Sequence, residues 1–270
     1  EDVIGNAEKA GDDNHLCDRY KAEARFIRAI LHFDLISYFG ACPIEDHVLT
    51  QAEAGALTRT PAAEALKWVA DECDAIIQSG ALPFRYTNEN ENWGRINGAA
   101  VYALKSRALL YRASPFNNPT NDQSWWKEAA DAALAFINTN KNSANPYRLY
   151  TTDGTETGDP SKNYYECFTT TPHLNNEYIL SRSEWTTNQL ELNNAPCGFQ
   201  GNANAHGRTN VTQNLVDAYE TINGLPIDQD PTYDDQHPYA NRDPRLEQSI
   251  FHHGSIWGDK SQDEERAVDV

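Results

Sequence analysis

Tyr20-Lys21-Ala22-Glu23-Ala24-Arg25-Phe26-Ile27-Arg28-Ala29, continuing through Ile30-Leu31-His32-Phe33-Asp34-Leu35-Ile36-Ser37 to Tyr38-Phe39-Gly40-Ala41-Cys42-Pro43, is the stretch on which the fold turns. Its polar residues Lys21, Arg25, Arg28 and His32 recur at three- and four-residue spacing, which predicts a helix with one exposed polar stripe. Phe26, Ile27, Ile30, Leu31, Phe33, Leu35 and Ile36 cover more than half of the circumference. A surface helix needs less, so this one is expected to pack between neighbours on two sides. Gly40 ends it and Pro43 prevents its resumption.

Further helices follow. Thr60 reads as an N-cap and Pro61 as a first helical residue for Ala62 to Gln78, with Ala65, Trp68, Val69, Glu72 and Ile76 at helical spacing. Gly80 and Pro83 close it. A third helix is expected from about Asn97 to Ala113, where Ala99, Ala100, Ala103 and Leu104 let helices approach closely. Pro115 stops it. A fourth begins near Ser124 and carries Trp126, Ala129, Ala130, Ala133, Phe136 and Ile137. Residues 1–140 therefore read as helix pairs, and periodicity alone implies a solenoid-like packing of such pairs.

From about Lys141 the composition turns to Asn, Thr, Gly, Pro and aromatic residues, which predicts loops and short elements. Tyr147, Tyr150, Tyr164, Tyr165, Phe168, Tyr178, Trp185 and Phe199 make it too aromatic for a disordered linker, because such rings need something to pack on or to bind. Short helices are expected at Val211 to Tyr219 and after Asp243-Pro244.

The 270 residues have room for a sizeable core and carry a net charge of -18. That charge argues against nucleic acid, whose phosphates need clustered Lys and Arg, and against an anionic membrane surface. No apolar run approaches the roughly 18–20 residues of a membrane span. The sequence contains no methionine, so the chain is read as starting inside a longer reading frame. Cys17, Cys42, Cys73, Cys167 and Cys197 form no C-x-x-C pair and have no His at metal-ligand spacing.

Several stretches together resemble the SusD/RagB family of surface nutrient-binding lipoproteins of Bacteroidetes. The helix quoted first is similar to the family's signature helix. Gly94-Arg95-Ile96-Asn97-Gly98-Ala99-Ala100 through Leu104-Lys105-Ser106-Arg107-Ala108-Leu109-Leu110-Tyr111 resembles its second conserved helix, and Trp126-Lys127-Glu128-Ala129-Ala130 the next. Asn175-Asn176-Glu177-Tyr178-Ile179-Leu180-Ser181 is similar to its short central strand. Leu215-Val216-Asp217-Ala218-Tyr219-Glu220 with Asn223-Gly224, then Tyr239-Ala240-Asn241-Arg242-Asp243-Pro244-Arg245-Leu246, resembles its late motif. The family's members continue past that motif, so residues 1–270 are read as one SusD-like domain that is incomplete at the C-terminus.

The resemblance implies a mostly α, SusD-like fold of tetratricopeptide-like helix pairs with a loop-rich ligand-binding part. It implies a non-catalytic role: capture of oligosaccharides or polysaccharides on the extracellular face of the outer membrane, through a lipid anchor, for a TonB-dependent SusC-like transporter. RagB-type relatives carry peptides instead, and a peptide binder would rely on main-chain hydrogen bonds and a cleft.

Sugars present flat C–H faces to Trp and Tyr rings, while Asn, Asp and Arg take the hydroxyls. The family's aromatic arc lies partly just after the central strand, which points to Trp185, with Arg182, Glu184 and Asn188 as polar neighbours. Trp93, preceded by Asn90 and Asn92, is a second candidate, followed by Tyr86 and Phe199. The alternative for each is ordinary loop packing. Arg242-Asp243-Pro244-Arg245 reads as structural: Asp243 caps a helix, Pro244 supplies its first turn, and both arginines reach nearby carboxylates or carbonyls.

No cofactor is expected. The acidic loops Asp153–Asp159 and Asp228–Asp235 hold oxygen ligands suited to calcium, but neither has EF-hand spacing. His252-His253 is not a zinc-binding H-E-x-x-H, and no G-x-S-x-G or phosphate loop occurs. A carbohydrate-active hydrolase, needing two carboxylates at a set separation, is the rival reading.

Overall fold

The computed structural model describes residues 2–7, 15–151, 160–169, 175–181, 193–195, 207–257 and 266–267. It is mostly helical and divides into two compact units, one formed by residues 1–149 and 172–183, the other by 150–171 and 184–270.

The first unit is built on helices α1 (Asp2–Asn6), α2 (Leu16–Phe39), α3 (Gln51–Ala56), α4 (Ala62–Ser79), α5 (Glu89–Asn92), α6 (Gly98–Ala113) and α7 (Gln123–Lys141). α2 packs on α4, α4 on α6, and α6 on α7. Ala22, Phe26, Ala29, Phe33 and Ile36 of α2 meet Leu66, Val69, Cys73 and Ile76 of α4, and Val101, Leu104 and Ala108 of α6 complete the core. Ala70, Leu109, Ala129 and Ala132 form a second patch. Of the small residues picked out from the sequence, Ala99, Ala100 and Ala129 are buried, while Ala130 is exposed and Ala132 takes the contact instead.

Most helix ends follow local chemistry. Gly40 adopts φ 73° and returns its N–H to the Ile36 carbonyl, closing α2. Asn97 caps α6 by accepting from the Ala100 amide at 2.9 Å, and Asp122 caps α7 by accepting from Ser124 at 2.8 Å. Thr50 and Glu53 form a capping box on α3, a helix the periodicity did not reveal. Thr60 does not cap α4: its amide donates to the Cys42 carbonyl at 2.9 Å. That bridge holds it extended, so Pro61 becomes the capping residue and the helix opens one residue later.

The polar stripe of α2 is not its exposed face. Arg25 and Arg28 converge on Glu72 of α4, at 2.9 and 2.6 Å. His32 is buried against Trp68, with ring centroids 4.8 Å apart. The Glu45 amide donates to its Nε2, leaving Nδ1 to donate to the Arg28 carbonyl. The Glu72 carboxylate lets two guanidiniums lie on the inward side, beside the apolar residues Phe26, Ala29, Phe33 and Ile36 that the same helix buries. Ile27, Leu31, Leu35, Tyr38 and Phe39 are left exposed.

The segment 175–181, expected as a strand, forms a turn at Asn176-Glu177 and no ladder. Its backbone groups bond elsewhere: the Asn176 carbonyl accepts from the Arg148 amide, and the Ile179 carbonyl from the Asn97 side chain.

The second unit contains α8 (Pro160–Thr169), α9 (Gln213–Ala218) and α10 (Pro244–Ser249), and α8 contacts α10. Strands β1 (Ile256–Trp257) and β2 (Arg266–Ala267) pair antiparallel, Ile256 opposite Ala267. Val216, Leu246 and Ile250 form a small core. Buried Arg242 donates to the carbonyls of Pro238, Val216 and Tyr219 at 2.7–2.8 Å, satisfying the open end of α9. Asp243 caps α10 through the Arg245 amide, with Pro244 at its first position. The structural reading of this motif holds for both arginines, since Arg245 pairs with the Asp243 carboxylate.

Candidate functional site

A narrow crevice in the first unit gathers Arg85, Tyr86, Asn92, Trp93, Asn97, Tyr147, Asn175, Tyr178 and Ser181. It forms where the loop between α4 and α6 meets the chain after α7 and the returning segment 175–181. The loop is fixed by close backbone approach: the Gly98 amide donates to the Pro83 carbonyl at 2.8 Å and Ala99 to Phe84 at 3.0 Å. A Cβ on Gly98 would lie 3.1 Å from the Phe84 Cα, so only glycine fits without a shift.

Buried Asn97 is the hub. Its oxygen caps α6, while its amide nitrogen donates to the Tyr147 hydroxyl at 3.2 Å and to the Ile179 carbonyl at 2.9 Å. Arg85 stacks over the Tyr147 ring at 4.3 Å and donates to Asn176 Oδ1 at 3.1 Å and to the Pro146 carbonyl at 3.4 Å. Arg95 pairs with Glu23 at 2.9 Å. The Tyr86 hydroxyl donates to the Ile96 carbonyl at 3.2 Å. Burial, then the charge of Glu23, raises the Tyr86 pKa, so it stays a neutral phenol. The Ser181 hydroxyl is buried and has no hydrogen-bond partner among the described residues.

The enclosed volume is only about 30 Å³, room for a water bridging such groups. A sugar ring or a side chain does not fit inside. A ligand here has to lie across the mouth, over the half-buried rings of Trp93, Tyr86 and Tyr178, with amide and hydroxyl groups beside them.

Of the residues singled out from the sequence, Tyr86 and Trp93 come together in this crevice. Trp185, Arg182, Asn188 and Phe199 lie outside the described residues. Tyr147 and Tyr178 stood out only as aromatics in need of a surface. Nothing in their spacing announces that residues 147 and 178 return to the loop at 93. Trp68, Trp125 and Trp126 are structural: Trp125 lies 3.8 Å under Arg112, and the Trp126 indole donates to Asn121.

The second unit has a groove of its own. Two adjoining cavities of about 430 and 360 Å³ share Tyr164, Glu220, Asp243 and Arg245, with Leu215 on one side and Ile222 on the other. Thr221, in the lining of one cavity, also ties the acidic loop, which is held by hydrogen bonds. Asp230 accepts from the hydroxyls of Thr221 and Thr232, the Thr232 amide and the Asn223 side chain. Those donors hold its carboxyl well below the usual carboxylate range. Asp230 thus acts as a tie within the loop. Among the described residues no group of three or more His, Cys, Asp or Glu could hold a metal ion. The loop at 153–159 lies outside them.

The SusD family model matches residues 176–269. Among solved structures the chain is similar to a SusD-like protein from Bacteroides fragilis, at 22% identity and a TM-score of 0.75 over 99% of this chain and 50% of that one. It is also similar to a SusD-like carbohydrate binding protein from the same species, at 26% identity and a TM-score of 0.66, covering 94% and 45%. A surface glycan-binding protein A from Bacteroides uniformis matches at 21% identity and a TM-score of 0.50, covering 66% and 34%. The chain spans about half the length of the first two structures or less. No curated protein matches it. The fold is SusD-like and mostly α, as the resemblance implies.

Proposed function

We propose that this chain is the scaffold-bearing part of a non-catalytic surface protein that captures oligosaccharides or polysaccharides. The observation that carries the reading is the crevice of Trp93, Tyr86 and Tyr178 on a SusD-like fold, too small to enclose a ligand and suited to one laid across it. Stacked rings take the C–H faces of successive sugars, and Asn92 and the backbone at the mouth take hydroxyls. Each ring adds a modest increment, and a polymer engaging several at once gains through effective concentration. The solved carbohydrate-binding neighbour from Bacteroides fragilis supports the ligand class.

In this reading the protein is held on the extracellular face of the outer membrane by a lipid anchor. It passes its cargo to a TonB-dependent SusC-like barrel. No helix among the described residues is long and apolar enough to cross a membrane, which accords with attachment by an anchor.

The test is binding of the purified full-length ectodomain to a panel of polysaccharides and peptide mixtures, with product release followed in the same samples. Glycan retention without new reducing ends is the expected result. Retention of peptides alone would replace the glycan reading with a peptide-binding one, and accumulation of cleaved product would overturn the non-catalytic one.

A further inference from the structure

One tight turn presents both Trp93 and Arg95. The Arg95 amide donates to the Asn92 carbonyl at 3.0 Å, Trp93 stands at φ -57° and ψ 132°, and Gly94 adopts φ 74°. This is a type II turn, whose third position needs the left-handed conformation that glycine takes without strain. The turn brings an aromatic ring and a guanidinium together into the lining of the crevice.

Charge at this place runs against the composition. The chain carries 40 Asp and Glu against 22 Lys and Arg, yet the described residues lining the crevice include Arg85 and Arg95 and no carboxylate. Arg95 commits its Nε to Glu23 at 2.9 Å, and its two terminal nitrogens make no hydrogen bond among the described residues. Its side chain remains 31% exposed. Glu23 is also approached by Arg19, at 3.9 Å. Both guanidiniums lie over the exposed ring of Tyr20, Arg19 at 5.4 Å and Arg95 at 5.9 Å from its centre. Arg19 and Arg95 act on the Tyr86 phenol in the sense opposite to burial and Glu23, which puts both charges within reach of that ring. One carboxylate therefore answers two cations beside an aromatic surface.

Taking the glycan reading above as its premise, we propose that the crevice selects acidic sugars. The C–H face of the sugar lies on Trp93, and its carboxylate or sulfate meets the terminal nitrogens of Arg95, with Arg19 adding to the positive field. A neutral sugar gains the ring and leaves this guanidinium to water. An anion on the sugar gains charge-assisted N–H···O bonds from a planar fork as well. The chain as a whole, at -18, repels a polyanion, but salt screens that repulsion beyond about 8 Å at physiological ionic strength. The local surplus then decides.

The test uses the full-length ectodomain and polymers paired on one backbone: alginate and polygalacturonate, each beside its carboxyl-reduced form, and dextran sulfate beside dextran, with polyglutamate as an acidic peptide. At least one acidic polysaccharide is expected to be retained about 10-fold or more tightly than its neutral counterpart, the increment of a charge-assisted hydrogen bond. Preference for the uronates assigns the anion as carboxylate, and preference for dextran sulfate assigns it as sulfate. Arg95→Gln should remove the preference. Lys127→Gln, which deletes a positive charge on α7 from a side chain 74% exposed, should leave it. Arg19→Gln should reduce it, which keeps a second variant in hand should Arg95→Gln fold poorly. Equal or tighter retention of the neutral partners would overturn the proposal and leave the glycan reading standing. Retention of polyglutamate alone, or of no polysaccharide, would overturn both.

Discussion

Asn97 donates from its side-chain amide to the hydroxyl of Tyr147 at 3.2 Å, both residues being buried. The same amide group caps α6 and holds the Ile179 carbonyl. One side chain therefore ties three segments far apart in sequence and sets the floor of the crevice.

Asn97→Ala should lose the cap, typically worth about 0.5–2 kcal/mol, and leave the Ile179 carbonyl and Tyr147 hydroxyl short of a donor at about 1–3 kcal/mol. Asn97→Asp keeps the cap acceptor and loses the donor. Urea unfolding should rank wild type above Asn97→Asp and Asn97→Ala. Equal midpoints for all three would show that the hub contributes nothing.

Gly98→Ala should be destabilising by about 1–3 kcal/mol, the usual range for overpacking, because its Cβ would press on backbone atoms of Phe84 and Pro83. The displaced loop carries Tyr86 and leads to Trp93, so ligand retention should weaken with it. A thermal melt unchanged from wild type would contradict the close-approach argument.

Trp93→Ala should weaken glycan retention about 3- to 10-fold, from roughly 0.5–1.5 kcal/mol per aromatic contact. Tyr164→Ala, in the groove of the other unit, should leave it unchanged. Titration of the retained polysaccharide against both variants distinguishes the two concavities, and the opposite ranking would move the site to the groove.

Stability should fall in acid through two carboxylates. Burial alone would push Glu72 up, but hydrogen bonds and charge from Arg25 and Arg28 outweigh it and hold the carboxyl below its usual range. Hydrogen bonds from Thr221, Thr232 and Asn223 hold Asp230 low. A group whose folded pKa is depressed contributes stability above its unfolded value, about 4 for these side chains, and loses it as pH falls towards the folded value. Urea midpoints should therefore be flat from pH 7 to about 5 and decline below about 4. Glu72→Gln and Asp230→Asn should start lower at pH 7 and decline less.

Glu72→Ala should cost more than Glu72→Gln, because it leaves two half-buried guanidiniums facing each other without a carboxylate or an amide oxygen. Denaturation at pH 7 checks the order. Equal losses would mean that the arginines relax into water at no cost.

The helical half was legible because helix signals are local: Gly40 at the end of α2, Pro61 ahead of α4 and Pro115 after α6. The caps were read less well, since Asn97 and Asp122 were not picked out and Thr60 does not cap α4. The late motif was legible for the same reason, since Asp243 and Pro244 open a helix whatever surrounds them. Tyr86 and Trp93 could be picked as aromatics beside amides, but Tyr147 and Tyr178 could not be assigned to their crevice. Their meeting depends on a chain reversal at residues 175–181 with no periodic signature. The same segment was expected as a strand, and a strand exists only where a neighbour offers a ladder.

The sequence by itself determined that these residues form helices, where the helices stop, and that α2 has a polar and an apolar face, because propensity, capping and periodicity act within a few residues. Only the tertiary structure decided which face of α2 turns inward. Glu72, more than forty residues away, supplies the carboxylate that lets Arg25 and Arg28 lie on α4 beside the buried Phe26, Ala29, Phe33 and Ile36, while Ile27, Leu31, Leu35 and Tyr38 face outward.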